Sequence, residues 1–194
     1  MPSTPPRIAP LAAPYDPEIE ELLRAMMPRQ TSIEPLKLFR TLAQHRPLAA
    51  AMLSLGRFVL GRELSLDLHD RELVIDRVCA RCGCEYEWGV HALVFGARAG
   101  LSPEQLAATV TAGSEAAVWS ARDALLVRLV DELHDGATVS EWLWKELAPH
   151  WTPQQLLELL LLAGWYHAIA FIANGVRIER EDWAPRFPGK EEGA

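Results

Sequence analysis

Residues 71–91, RELVIDRVCARCGCEYEWGVH, concentrate side chains that can transfer protons, react as thiols or bind metals. This 21-residue segment holds all three cysteines of the 194-residue chain, together with three glutamates and one histidine. Three kinds of site are compatible with this set: a metal centre, a thiol redox site and an acid/base site. The spacing of the residues distinguishes them.

The positions of the cysteines argue against a zinc site. Cys79, Cys82 and Cys84 lie within six residues of each other, whereas structural zinc usually takes two separated pairs of ligands. The next donor, His91, lies about two helical turns beyond Cys84, so a tetrahedral site would require a distorted helix. We therefore expect neither a metal nor a cofactor at these thiols.

Helical periodicity instead groups a thiol, an acid and an imidazole. In a helix that begins after Gly83, residues Cys84, Glu87 and His91 occupy positions i, i+3 and i+7, which lie on one face. The start of such a helix would lower the pKa of the Cys84 thiol, because the helix dipole favours the thiolate. Glu72 can join this group if the chain reverses at Gly83.

The elements that must position these residues are helices. Apolar residues recur with a period near 3.6 along most of the chain, and few β-branched alternations occur. This pattern predicts an all-α fold of about seven to nine helices. Caps at Asp16, Asp70 and Ser102 predict helix starts. Breaks are expected at Gly83 and Gly164.

The chain is predicted to fold as a single domain over residues 1–194. Its composition, 49% hydrophobic and 23% charged, is typical of one globular domain with a sizeable core. The proline-rich residues 1–15 should form an extended arm, and the acidic residues 180–194 a tail that is mobile or lies over a neighbouring subunit. Residues 35–100 and 115–176 show a faint internal duplication.

Charge and hydropathy exclude several classes of partner. A net charge of −7 without a block of basic residues argues against nucleic acid and anionic membranes. The apolar run 156–173 contains Glu158 and His167, which indicates a core helix rather than a membrane span, and we expect His167 to be structural. Clustered thiols and the lack of an export signal favour the cytoplasm. A small-molecule substrate remains the expected partner.

The intervals within the cluster are similar to a known pattern. Glu72, Cys84 and His91, separated by twelve and seven residues and flanked by RELVI and AGLS, resemble the carboxymuconolactone decarboxylase family, which includes alkyl hydroperoxidase D. The resemblance covers about residues 8–177. It implies an alkyl hydroperoxidase D-like helical bundle, assembled as a trimer or hexamer, in which Glu72 and His91 pass protons. Glu87 replaces the second cysteine of the peroxidase motif, so the two-cysteine cycle is not expected.

Three functions remain open at this point. The first is a carboxymuconolactone decarboxylase-like lyase that transfers protons on a small lactone or keto acid, with catalytic residues Glu72, Cys84, Glu87 and His91. The second is an alkyl hydroperoxidase D-like thiol peroxidase in which Cys84 reacts. The third is a non-catalytic helical oligomer with a vestigial site. Tyr86, next to the cluster, is predicted to bind the substrate through its hydroxyl, with a subunit contact as the alternative.

Overall fold

A computed structural model describes residues 5–28 and 33–189, and the regular structure in these ranges is entirely helical. A π-helical turn, Ala92–Gly96, extends the fifth helix. Nine α-helices lie in the described ranges: α1 (Pro17–Met26), α2 (Lys37–Leu42), α3 (Arg46–Val59), α4 (Leu68–Arg81), α5 (Glu85–His91), α6 (Pro103–Thr111), α7 (Ala121–Gly136), α8 (Glu141–Leu147) and α9 (Pro153–Val176). The predicted all-α class is confirmed.

Local capping determines where the helices begin. The side chains of Asp16 and Ser102 accept backbone N–H groups at the starts of α1 and α6, as predicted. The predicted cap at Asp70 is wrong, because α4 begins one turn earlier. There the Asp67 carboxylate accepts the backbone N–H of Asp70 at 2.8 Å. The Asp70 side chain instead pairs with Arg122 of α7.

Helix α4 lies at the centre of the fold and packs against α5, α6, α7 and α9. Its residues 70–79 are all buried, including several charged side chains that require partners. Arg77 donates to both carboxylate oxygens of Asp131 on α7, at 2.9 and 2.8 Å. The same guanidinium donates to two carbonyl groups at the end of α6. Ion pairs as well as apolar contacts therefore fix the position of α4.

The two glycines that were predicted to break helices behave differently. Gly83 adopts a φ of 62°, a left-handed conformation that ends α4 and allows the chain to reverse into α5. Helix α9 continues without interruption through Gly164, so the second predicted break is wrong. Gly164 keeps helical geometry, and glycine lowers helix propensity without by itself ending a helix.

The described parts of both terminal segments pack on the chain itself. The N–H of Arg7 in the arm donates to a carbonyl at the end of α9, at 2.8 Å. The tail lies on α5, where the Tyr86 hydroxyl donates to Glu181 at 2.7 Å and Phe187 packs against Trp88. The tail up to residue 189 therefore contacts its own chain, and its predicted mobility or position over another subunit stays a prediction. Residues 190–194 lie outside the described ranges.

Helix α9 alone among the described helices is long and apolar enough to cross a membrane. Half of its most apolar window is buried inside the protein. The buried Glu158 carboxylate accepts hydrogen bonds from the backbone N–H and hydroxyl of Ser65, at 2.9 and 2.7 Å. These features are typical of the core helix of a globular domain.

Candidate active site

A cavity of about 670 Å³ lies between α2, α3, α5 and α9. Its volume is typical of sites for small molecules. Three side chains that can exchange protons reach its wall: Glu87 and His91 of α5, and Tyr166 of α9. The rest of the wall is mostly apolar and includes Leu38, Phe39, Met52, Val90, Trp165 and Ile169.

His91 connects the protein interior to this cavity. Its Nδ1 lies 2.7 Å from Glu72 Oε2, which confirms that Glu72 returns alongside α5. Its Nε2 lies 3.0 Å from the Tyr166 hydroxyl and 3.7 Å from Glu87 Oε2. Because Nδ1 faces a carboxylate, it carries a proton. Nε2 is therefore the nitrogen available to the groups at the cavity.

Burial and ion pairing move the pKa values of the site apart. Burial acts to raise the pKa of Glu72, but His91 and Arg71 outweigh it and lower that pKa. Burial acts to lower the pKa of His91, but the Glu72 carboxylate raises it above 6.5. Burial raises the pKa of Glu87, against a smaller opposing effect of His91. Glu72 is thus a fixed anion, His91 favours its cationic form, and Glu87 gains a proton more readily than an exposed glutamate.

Two buried carboxyl groups keep oxygens without a hydrogen-bond partner among the described residues. One is Glu87, through Oε1, and the other is Asp76, through both oxygens. Burial raises the pKa of Asp76 well above its usual value, which favours the neutral acid beside His91. Sequence reasoning missed Asp76, although its i, i+4 spacing from Glu72 on α4 was a usable signal.

Cys84 does not line the cavity and is fully buried. It is the N-cap of α5, with φ −88° and ψ 77°, so its side chain does not follow the helical face of Glu87 and His91. Burial, and then the Glu87 carboxylate, raise the pKa of the thiol to about 12. The N–H groups of Glu87 and Tyr86 favour the thiolate but do not offset this increase. The prediction that Cys84 is a thiol of lowered pKa facing the cavity is therefore wrong.

The tyrosine at the cavity is Tyr166 rather than Tyr86. The Tyr86 hydroxyl is buried, donates to Glu181 at 2.7 Å and accepts the backbone N–H of Leu38 at 3.1 Å. This geometry corrects the predicted substrate-binding role of Tyr86. Sequence reasoning drew attention to this part of α9 only through His167, the residue that follows Tyr166.

The remaining thiols lie in different environments. Cys79 is fully buried, whereas Cys82 is partly exposed beside His134 and His167. One ligand atom from each of Cys82, His134 and His167 lies within 4.8 Å of the others, the one such group of three among the described residues. Any metal held by this set would involve a single cysteine, not the cysteine cluster considered from the sequence.

Comparisons with known proteins agree with the helical arrangement. Residues 46–128 match the model of the carboxymuconolactone decarboxylase family. An uncharacterised peroxidase-related protein from Silicibacter sp. TM1040 superposes with a TM-score of 0.79 at 14% identity, over 98% of this chain and 99% of that chain. The debrominase Bmp8 gives 0.70 at 13% identity, over 91% and 92%.

A third similar structure is that of a protein of unknown function from Agrobacterium tumefaciens, which has been proposed to be the antioxidant defence protein AhpD. It gives a TM-score of 0.64 at 20% identity, over 72% of this chain and 94% of that chain. A further Bmp8 structure holds a cysteine-to-alanine variant in complex with 2,3,4-tribromopyrrole. No curated protein matches the chain. At these identities the similar structures establish an alkyl hydroperoxidase D-like helical fold.

Proposed function

We propose that this chain, whose residues 46–128 match the carboxymuconolactone decarboxylase family model, is an enzyme that transfers protons on a small lactone or keto acid. The proposal rests on one observation. His91, held at Nδ1 by Glu72 at 2.7 Å, presents Nε2 to Tyr166 and Glu87 at the wall of the cavity. Glu72, Glu87 and His91 lie within the family match, and Tyr166 lies beyond it.

The pKa directions support a different role for each group. Glu87 in its carboxylate form removes the proton from the carbon next to the substrate carbonyl, since its raised pKa makes it a stronger base than an exposed glutamate. The imidazolium of His91 donates its Nε2 proton, directly or through the Tyr166 hydroxyl, to the oxygen of the resulting enolate. Glu72 remains ionised and stabilises the imidazolium. In a decarboxylation, the same groups protonate the carbanion that remains after CO₂ leaves.

The composition of the cavity wall indicates the kind of substrate. Most of the wall is hydrocarbon or aromatic, and the exposed Arg57 is its one guanidinium among the described lining residues. A small, mainly apolar molecule with one carboxylate fits this arrangement. Its carboxylate would pair with Arg57, and its acidic carbon would lie near Glu87 and His91.

A thiol peroxidase is the less supported alternative. A peroxide must reach a thiolate and oxidise it to a sulfenic acid, and a second thiol must then resolve it. Cys84 has no exposed surface, and Glu87 stands where the peroxidase motif has its second cysteine. Cys82 is the more accessible thiol, and the cavity does not include it. The acid/base reaction therefore accounts for more of the site.

We further propose a cytoplasmic homo-oligomer, either a trimer or a hexamer. Two observations support this proposal. All three cysteines are free, as is usual in a reducing compartment. The outer face of α9 exposes Leu157, Leu161 and Phe171, an apolar surface of the kind that other subunits cover.

Deuterium exchange provides a direct test of the acid/base proposal. Small carboxylated lactones and keto acids are incubated with the protein in D₂O, and exchange at carbon and CO₂ release are followed by NMR. We expect Glu87→Gln and His91→Gln to lower the rate by about 10²–10⁴-fold. Glu158→Gln is the matched control, because Glu158 is also 6% exposed and does not line the cavity. Turnover that survives both active-site substitutions contradicts the proposal.

A further inference from the structure

A second group of reactive side chains lies where three helices meet, away from the cavity. Cys82 immediately follows α4, His134 is in the last turn of α7, and His167 is in the middle of α9. All three are partly exposed, and none lines the cavity described above. The proton-transfer reaction uses none of them.

The donor atoms of this group converge on one point. His134 Nδ1 lies 3.0 Å from His167 Nε2 and 3.9 Å from Cys82 Sγ, and the three atoms lie within 4.8 Å of one another. Zinc lies about 2.3 Å from a sulfur ligand and about 2.0–2.1 Å from a nitrogen ligand. At tetrahedral angles, these bond lengths place two nitrogen ligands about 3.3 Å apart and a sulfur ligand about 3.5 Å from a nitrogen ligand. Small side-chain rotations would therefore bring the three donors to coordination distances.

The orientation of His167 is the one expected of a metal ligand. Its Nδ1 lies 2.9 Å from the carbonyl oxygen of Ala163. A carbonyl can only accept, so Nδ1 carries the proton and Nε2 presents its lone pair to Cys82 and His134. Metal-binding histidines commonly donate their other N–H to a backbone carbonyl in this way, which fixes the tautomer and the ring plane.

A hydrogen bond between the two imidazoles accounts for part of this arrangement. In that state His134 Nδ1 donates its proton to His167 Nε2 at 3.0 Å. The Cys82 sulfur is then left with a long contact of 3.9 Å to the same nitrogen. A cation would engage all three donors at once, with the proton of His134 carried on Nε2 instead.

The charged groups around the cluster are compatible with a bound cation. Arg81 precedes Cys82, and its guanidinium is paired with Asp131 and Asp135 on α7. These two carboxylates flank His134 in the chain. The positive charge of Arg81 is therefore offset locally, and a divalent ion does not face an unpaired cation.

We propose that Cys82, His134 and His167 form a Zn²⁺ site, with water as the fourth ligand. Three protein ligands and a water molecule are the usual ligand set of catalytic zinc sites, and the partial exposure of all three residues lets water reach the fourth position. On binding, the metal displaces the proton of the Cys82 thiol, which passes to solvent. The ion would tie the end of α4 to α7 and α9, directly before the Gly83 turn that leads into α5.

Cobalt substitution of the full chain tests this site. Reduced protein, freed of metal with a chelator, is titrated with Co²⁺ while the visible and near-ultraviolet spectrum is recorded. We expect one Co²⁺ per chain, with the absorption of a tetrahedral ion and a thiolate charge-transfer band, and full displacement of Co²⁺ by Zn²⁺. Zn²⁺ should also slow the alkylation of Cys82 and raise the Tm.

Matched variants identify the ligands. Cys82→Ser should abolish the charge-transfer band, and His134→Gln and His167→Gln should each weaken Co²⁺ binding at least about tenfold. His150→Gln, which replaces an exposed histidine elsewhere, should bind Co²⁺ like the native protein. Circular dichroism verifies that each variant is folded. Folded native protein that binds no Co²⁺ or Zn²⁺, or a thiolate band that persists in Cys82→Ser, overturns the proposal. These measurements read metal and thiol directly, so they are independent of the proposed reaction.

Discussion

Replacing Glu72 with glutamine tests how the site holds a cationic imidazole inside the protein. The substitution keeps the shape of the side chain and an acceptor for His91 Nδ1, 2.7 Å away. It removes the negative charge that pairs with His91 and with Arg71. Burial by itself lowers the pKa of His91, and Glu72 is the first cause that raises it. We therefore expect the pKa of His91 to fall in the variant.

The stability lost by Glu72→Gln should depend on pH. A raised pKa of His91 stabilises the folded state fully below pH 6.5, and this contribution is lost as the pH rises through the folded pKa. A lowered pKa of Glu72 stabilises the folded state above pH 4.5, and this contribution is lost as the pH falls through the folded pKa. Between these two limits the buried pair is fully charged, and removing one partner costs about 3–5 kcal/mol.

At higher pH the cost should be smaller. Once His91 is neutral, the glutamine oxygen of the variant still accepts a hydrogen bond from the Nδ1–H group. The variant then loses stability mainly because His91 and Arg71 donate to a neutral acceptor instead of a charged one. Exchanging a charged for a neutral hydrogen-bond acceptor costs about 1–2 kcal/mol. The difference between acidic and alkaline conditions is therefore about 1–4 kcal/mol.

Urea unfolding of both proteins at about pH 5.5 and about pH 9 measures this difference, and NMR titration follows His91. Glu158→Gln is the control, because Glu158 is also buried but bonds to Ser65 rather than to a histidine. Its stability loss should be the same at both pH values. An equal loss for Glu72→Gln at both pH values, or a His91 pKa that does not fall in that variant, would refute the reasoning.

Three further predictions concern the thiols and α5. In native protein, alkylating reagents should modify Cys82 much faster than Cys84, because Cys84 has no exposed surface. Peptide mapping by mass spectrometry measures the two rates of modification. Faster labelling of Cys84 would contradict its burial. Gly89→Ala should lower the free energy of unfolding by about 1–3 kcal/mol, since the new Cβ would lie 2.4 Å from a backbone carbonyl oxygen of the tail. Gly164→Ala, at an exposed helical position with no described atom within 4 Å of the new Cβ, should instead raise it by up to about 1 kcal/mol; equal effects in urea unfolding would contradict this difference. Dithiol-dependent reduction of hydroperoxides should be weak in native protein. It should be stronger in Glu87→Cys, because the new cysteine forms a Cys-x-x-Cys pair with Cys84. Robust turnover by native protein that Cys84→Ser abolishes would favour the peroxidase alternative.

Most helix starts and much of the acid/base pair could be predicted from residues close together in the sequence. Capping residues such as Asp16 and Ser102 act within one turn, so their effect can be predicted without knowledge of the packing. Glu87 and His91 share a face because they lie one turn apart inside a regular helix. The return of Glu72 to His91 also followed from local information, because Gly83 can adopt the left-handed conformation that reverses the chain.

Helical periodicity was misleading where the backbone leaves the helix. Cys84 lies three residues before Glu87, but as the N-cap its backbone is not helical, so its side chain is buried instead of facing the cavity. The same limit applies to Gly164, where a residue that often ends helices lies in an unbroken one. In both cases the conformation of a single residue decided the outcome, and residue type alone does not specify it.

Only the tertiary structure brought together groups from distant parts of the chain. Tyr166 reaches His91 across 75 positions of sequence, and Cys82 meets His134 and His167 only because α4, α7 and α9 pack together. Such contacts depend on which faces of the helices are buried and at what angle they cross. Many side-chain contacts along the whole chain set that arrangement jointly, whereas caps and turns depend on a few neighbouring residues.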